Sequence, residues 1–162
     1  MTGDFTLRNV RDTDREAIIR IFNHYAATGF AAYPDNPVPA QLFDILKKGT
    51  IAFYVIEGNE GVVGFGVLKP FMPFPAFSKT GMLTYFVAPE YTHRGLGEKL
   101  LEALTHDAKD AGINLLVANL ASKNEPSFRF HYHHGFTEAG RLHETGARTG
   151  EPYDVIWMEK EI

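Results

Sequence analysis

A chain of 162 residues, 44% hydrophobic and 22% charged, has the size and mix of one soluble globular domain spanning residues 1–162. Its formal net charge of −4 disfavours a sequence-independent nucleic-acid binder, so no nucleic-acid partner is expected. It contains no cysteine, which excludes disulfides, thiolate metal sites and a covalent cysteine intermediate. No apolar run approaches the ~18 residues of a membrane span, and Met1-Thr2-Gly3-Asp4 lacks the basic and apolar regions of a signal peptide. The expectation is a cytoplasmic protein without a membrane partner.

Taken in order, Phe5 to Val10 alternates as a first strand. Thr13 followed by Glu16 has the spacing of a capping box, ahead of a helix whose stripe is Ala17, Ile18, Ile21, Phe22 and Tyr25 and which ends near Gly29. A loop rich in aromatics and prolines, residues 30–37, precedes a shorter helix from about Pro39 to Lys48. Ile51 to Glu57 and Val62 to Lys69 form a hairpin around residues 58–61. Residues 70–77 carry three prolines and three phenylalanines, which suits neither a helix nor a central strand. Such an apolar loop covers either the core or a ligand.

Met82 to Val87 reads as a strand, and Leu96, Leu100, Leu101, Leu104, Ala108 and Ala111 recur at helical spacing up to a stop at Gly112. Between them lies Thr92-His93-Arg94-Gly95-Leu96-Gly97. Its glycines serve a turn, or they clear an anion cradle at the positive end of the helix, where free N–H groups converge and His93 and Arg94 add charge. Asn114 to Leu120 is a strand buried on both faces. Asn124 opens a helix ending at His134-Gly135, and Phe136 to about Ala147 and Tyr153 to Lys160 are the last strands. The order β, α, α, three strands, α, β, α, β, β describes a mixed α/β domain with a mostly antiparallel sheet of about seven strands and four helices.

On these residues the chain resembles the GNAT superfamily of acyl-CoA-dependent N-acyltransferases, and within it the phosphinothricin acetyltransferase-like branch. The resemblance rests on Gly95-Leu96-Gly97 with Tyr85-Phe86-Val87-Ala88-Pro89-Glu90-Tyr91 before it, and on Asn124-Glu125-Pro126-Ser127, His131 and Gly135-Phe136 after it. Asn23-His24-Tyr25 and Gly146, Gly150 and Asp154-Val155 also match, so that it covers essentially the whole chain. Thr92 departs from the glutamine or arginine that opens the family's loop. The resemblance implies acetyl-CoA as co-substrate and no metal. It places the pyrophosphate on the loop Thr92, His93, Arg94, Gly95, Leu96, Gly97 and Glu98, and the acyl carbonyl and pantetheine arm at a strand splay near Phe86 and Val87. It also sets Asn124 and Ser127 beside the cofactor arm.

His131 stands where the branch has a histidine and many superfamily members an acid tyrosine, which implies a catalytic role in proton exchange with the departing thiolate. A helix puts only His131 and His134 on one face, too few for a metal site. With no cysteine, direct transfer to a small-molecule primary amine is implied; an acyl-CoA-binding module or sensor with little catalysis is the alternative. Met82 feeds that alternative, because it replaces the branch's usual glutamate base. Phe74 stands where an arginine is common and Pro152 where a tryptophan is frequent. Together with Tyr33 and Phe77, Phe74 and Met82 make up the expected acceptor pocket. His24, Tyr25, Tyr33 or an ordered water remain as proton acceptors, and a homodimer is expected from the branch.

Overall fold

Alternation and helical stripes become a single seven-stranded sheet in the computed structural model, which describes residues 3–162. Its elements are β1 (Thr6–Asn9), α1 (Arg15–Ala27), α2 (Leu42–Lys47), β2 (Ala52–Gly58), β3 (Gly61–Pro70), β4 (Thr80–Val87), α3 (Leu96–Asp110), β5 (Leu115–Ala121), α4 (Glu125–His133), β6 (Thr137–Arg148) and β7 (Glu151–Glu161). The spatial order is β1-β2-β3-β4-β5-β7-β6. All neighbours run antiparallel except β4 and β5, whose connection through α3 makes them parallel. The expected element order and fold class are borne out.

One expected detail is not. Thr13 does not cap α1. Residues Asp12–Asp14 form a 3-10 turn instead, and the Asp14 carboxylate accepts the Arg11 N–H at 2.7 Å. Asp14 is buried and also takes both Arg8 guanidinium nitrogens at 2.9 Å, so the stronger acceptor wins the helix entrance.

Each face of the sheet is covered by helices. On one, Leu101, Leu104 and Ala108 of α3 pack with Phe136, Ile156 and Met158, Leu100 packs with Ile56 and Val63, and Phe128 and Phe130 of α4 close the same layer. On the other, Ile18 and Ile21 of α1 and Phe43 of α2 meet Phe53, Phe65 and Val67. Leu100 and Leu104 are fully buried, and each such leucine contributes about 2 kcal/mol relative to exposure.

The β4–β5 pair positions the site. Its register runs only through Thr80↔Leu115, Gly81↔Leu116 and Met82↔Val117. Beyond Met82 the two strands part, although β4 stays paired with β3 as far as Gly64↔Val87. The result is a wedge-shaped opening in the middle of the sheet that starts at Leu83, three residues before the Phe86–Val87 point implied by the resemblance.

The long connection from α1 to α2 lies over this opening and is tied down at both ends. Asn23 holds Val38 through a reciprocal pair, accepting its N–H at 2.7 Å and donating to its carbonyl at 3.1 Å. Arg148, at the far end of β6, donates to the carbonyl oxygens of Ala26 and of Pro34, the latter at 3.1 Å.

Candidate active site

Backbone alternation decides which amides face the splay. Thr80 O accepts from Phe71 N and Ala88 N donates to Val63 O, so the even-numbered positions of β4 turn their polar groups toward β3. The odd positions Tyr85 and Val87 therefore turn theirs toward the opening left by β5. Val87, one of the two positions expected at the splay, thus faces the opening with its backbone. Phe86 instead gives its side chain, packing edge-on to Phe22 at 5.4 Å and lining the cleft with its ring.

After β4, the 3-10 turn Pro89–Tyr91 ends and the chain enters α3 through two left-handed residues, His93 at φ 61° and Gly95 at φ 76°. A histidine in that region is strained by roughly 1 kcal/mol, and such strain gathers at functional loops. Gly95 caps α3 with no side-chain hydrogen bond, and the first intrahelical bond is Lys99 N to Gly95 O at 3.1 Å. The N–H groups of Leu96, Gly97 and Glu98 precede it and point outward from the helix end. The Leu96 side chain is buried in the core, so that residue offers only its amide. A Cβ on Gly97 would meet nothing but the Phe130 ring, at 3.4 Å.

These amides open on a groove of about 950 Å3 between α3 and α4, walled by His93, Gly97, Pro126, Arg129, Phe130 and His133 among others. Arg94, expected here, faces the other way. Its guanidinium lies 5.3 Å over the Tyr91 ring and reaches the Glu90 carbonyl at 3.4 Å. Thr92 also spends its hydroxyl locally, on the Pro89 carbonyl at 2.9 Å, while its body lines the groove. Arg129 flanks the groove from α4 with His133 one turn further on, and sequence reading gave neither a place here. Their i, i+4 spacing opposite the glycine loop was the available signal.

A second cleft, of about 530 Å3, lies in the splay itself. It meets the groove at Val87, Thr92, Gly97 and Phe130, which line both. Among its walls are the expected Tyr33, Met82, Asn124, Ser127 and His131. Phe74 and Phe77 are not brought to it. They sit exposed on the β3–β4 connection, where Phe71 packs against Phe77 at 5.8 Å and Trp157 at 5.9 Å. Asn124 caps α4, its Oδ1 accepting the Ser127 N–H at 3.4 Å, and so leaves its amide NH2 for the cleft.

His131 is buried, and its two nitrogens are fixed by their partners. Nδ1 lies 2.7 Å from the Ser127 carbonyl oxygen, an acceptor only, so Nδ1 carries the proton. Nε2 is then the lone-pair nitrogen, and it accepts the hydroxyl of Tyr85. Burial lowers the imidazole's proton affinity, which keeps this neutral tautomer, and burial raises the Tyr85 phenol well above its usual range. His134 is spent elsewhere, donating Nδ1–H to the Phe130 carbonyl at 2.8 Å.

The tyrosines considered as bases are donors. Tyr25 gives its hydroxyl to Val87 O, and burial raises its pKa. Tyr33 donates to Asn119 Oδ1 at 2.6 Å, and burial, with Tyr153 alongside, pushes its pKa to about 12. His24 is exposed and does not line the cleft.

The arrangement of a glycine-opened helix end, a groove and a splayed strand has known relatives. The model of the Acetyltransferase (GNAT) family matches residues 18–136. An L-amino acid N-acyltransferase of Escherichia coli (strain K12) is 29% identical over 161 residues, covering 97% of this chain and 94% of its own. A phosphinothricin N-acetyltransferase of Alcaligenes faecalis is 28% identical, covering 97% of this chain and 82% of its own. Among solved structures, yncA from Salmonella typhimurium with its cofactor acetyl-CoA superposes with a TM-score of 0.84 at 28% identity, over 97% of this chain and 93% of that one.

Proposed function

The chain belongs to the acetyltransferase (GNAT) family, and from that premise we propose that it transfers an acetyl group from acetyl-CoA directly to the primary amine of a small molecule. The observation that carries the reading is the junction of groove and cleft at Val87, Thr92, Gly97 and Phe130. A long polyanionic donor fits one side, its reactive end reaches the splay, and the acceptor enters from the other.

The residues divide the work as follows. The amides of Leu96, Gly97 and Glu98 hold the pyrophosphate, with Arg129 adding positive charge beside His133 along the groove. At the splay the backbone of Tyr85 receives the arm and the Val87 N–H polarises the acyl carbonyl, the Val87 carbonyl being taken by the Tyr25 hydroxyl. Acetyl-CoA supplies an activated thioester. Tyr85 holds its hydroxyl proton against Nε2 of His131 beside the position of the departing sulfur, and the pair relays a proton. The phenol oxygen takes one from the nitrogen that has attacked as its own passes to Nε2. The reverse transfer protonates the thiolate, leaving both residues as they began. No protein base is assigned. Met82 has no acceptor, and Tyr25 and Tyr33 are donors, so the amine arrives neutral from solvent.

The test is release of free CoA with a panel of primary amines between pH 7 and pH 9. Amine-dependent release that rises with pH is expected. Saturable acetyl-CoA binding without amine-dependent release would make the chain an acyl-CoA-binding module instead.

A homodimer is part of the proposal. Its support is the unpaired edge of β6 and the exposed Met72, Phe74 and Phe77 near Trp157; sedimentation gives the mass. A cytoplasmic site of action is proposed with it, because acetyl-CoA is supplied there.

A further inference from the structure

Given the transferase reading above, on which this inference rests, we infer that the acceptor is an uncharged-tail primary amine, an alkyl- or aralkylamine without an α-carboxylate. The relatives named above are an L-amino acid N-acyltransferase and a phosphinothricin N-acetyltransferase, and both name acceptors that carry a carboxylate. The acceptor side of this cleft has no cation to pair with one.

Among the described residues its walls contain no lysine or arginine. Two cations on the surrounding elements are used elsewhere. Arg148 is spent on the Ala26 and Pro34 carbonyls behind the loop, and Lys69, the β3 partner of Met82, reaches the Ile45 carbonyl. His131 is held as the neutral tautomer by Ser127 and Tyr85. A carboxylate drawn into this space would lose its water without gaining a counter-charge.

What the cleft offers is an apolar wall of Phe22, Leu46 and Met82, with neutral donors set into it. Asn119 is oriented by Tyr33, whose hydroxyl occupies Oδ1 at 2.6 Å, so its NH2 is the end left for a ligand. Thr84 adds a hydroxyl from β4. An apolar chain or ring carrying at most a neutral acceptor atom matches all of these groups.

The experiment compares matched pairs on the intact protein with saturating acetyl-CoA: phenethylamine against L-phenylalanine, and 3-(methylthio)propylamine against L-methionine. L-phenylalaninamide separates charge from bulk. Rates are expressed per unprotonated amine. The carboxylate-free member should be favoured by about 100-fold in kcat/KM, with the amide closer to the amine than to the acid. Met82→Lys, placing a cation in the wall, should raise kcat/KM for L-phenylalanine by roughly tenfold and leave the KM for acetyl-CoA unchanged. Amino acids used as well as, or better than, their amines would overturn the substrate class and leave the transferase standing. CoA release with neither member, despite acetyl-CoA binding, would overturn both.

Discussion

Tyr85 on β4 donates its hydroxyl proton to Nε2 of His131 on α4, across 46 residues of chain. Because Nδ1 is committed to the Ser127 carbonyl, the imidazole has no free nitrogen with which to meet a substrate directly. Any proton it exchanges with the site passes through the phenol. Tyr85→Phe should then lower kcat by about 100-fold with little change in the KM for acetyl-CoA. His131→Ala should do the same, and the double variant should lose no more than either alone, as for residues acting as a unit. Fully multiplicative losses would separate the two.

The same pair sets a pH limit. The folded protein disfavours protonation of His131, so an unfolded chain takes up that proton first as the solution is acidified. Stability from this group is complete above an ordinary histidine pKa of about 6.5 and declines as pH falls below it. Protonated Nε2 could not accept from Tyr85, so turnover per neutral amine should also show an acid limb, set by the lowered folded-state pKa and therefore below the pH at which stability starts to decline. His131→Gln should remove the acid decline from both profiles, and its persistence in the rate profile would assign the limb to another group.

The glycine loop separates backbone need from ligand need. Gly95 is left-handed, and Gly95→Ala should cost about 1 kcal/mol of stability through the backbone alone, because a Cβ there meets no atom within 4 Å. Gly97 is ordinary helix, so Gly97→Asp should leave the melting temperature nearly unchanged. Its carboxylate would stand at the outward amides of α3 and should weaken acetyl-CoA by at least ~100-fold. Calorimetric titration decides; unchanged affinity would remove the phosphate from this loop.

Arg148 holds the loop that carries Tyr33, and Tyr33 lies 6.3 Å from Tyr153 in a stacked pair. Arg148→Met leaves the Pro34 and Ala26 carbonyls without their donor and should raise the acceptor's KM roughly tenfold while acetyl-CoA's stays within about twofold. Arg148→Lys should recover part of the loss. Equal damage to both constants would mean that the arginine only supports the fold.

Asp14 is a stability site remote from the chemistry. The hydrogen bond from Arg8 holds its carboxyl below the usual range, helped by the Arg11 amide. The stabilisation is therefore present above a pH of about 4 and fades as pH falls through the lowered folded value. Asp14→Asn should cost on the order of 3 kcal/mol at pH 7, and urea midpoints of variant and parent should converge towards pH 3. A constant offset would mean that shape, not charge, carries the effect.

Local sequence determined the elements and the glycine-opened start of α3 to which the donor is assigned by proposal. Alternation at Met82–Val87, the leucine stripe of α3, and Gly95 and Gly97 between them are short-range patterns, each with a backbone requirement that few residue types meet. The direction of a long side chain and the company of a buried one are different matters, set by elements far apart in the chain. That is why Arg94 turned to Tyr91 while Arg129 and His133 came to the groove, and why Phe74 and Phe77 fell outside the cleft. Only the tertiary structure could bring Tyr85 to His131, Tyr33 to Asn119 and Arg148 to Pro34. Each contact joins strand, helix or loop across 46 to 114 residues, where hydrogen-bonding groups shut away from water must find one another.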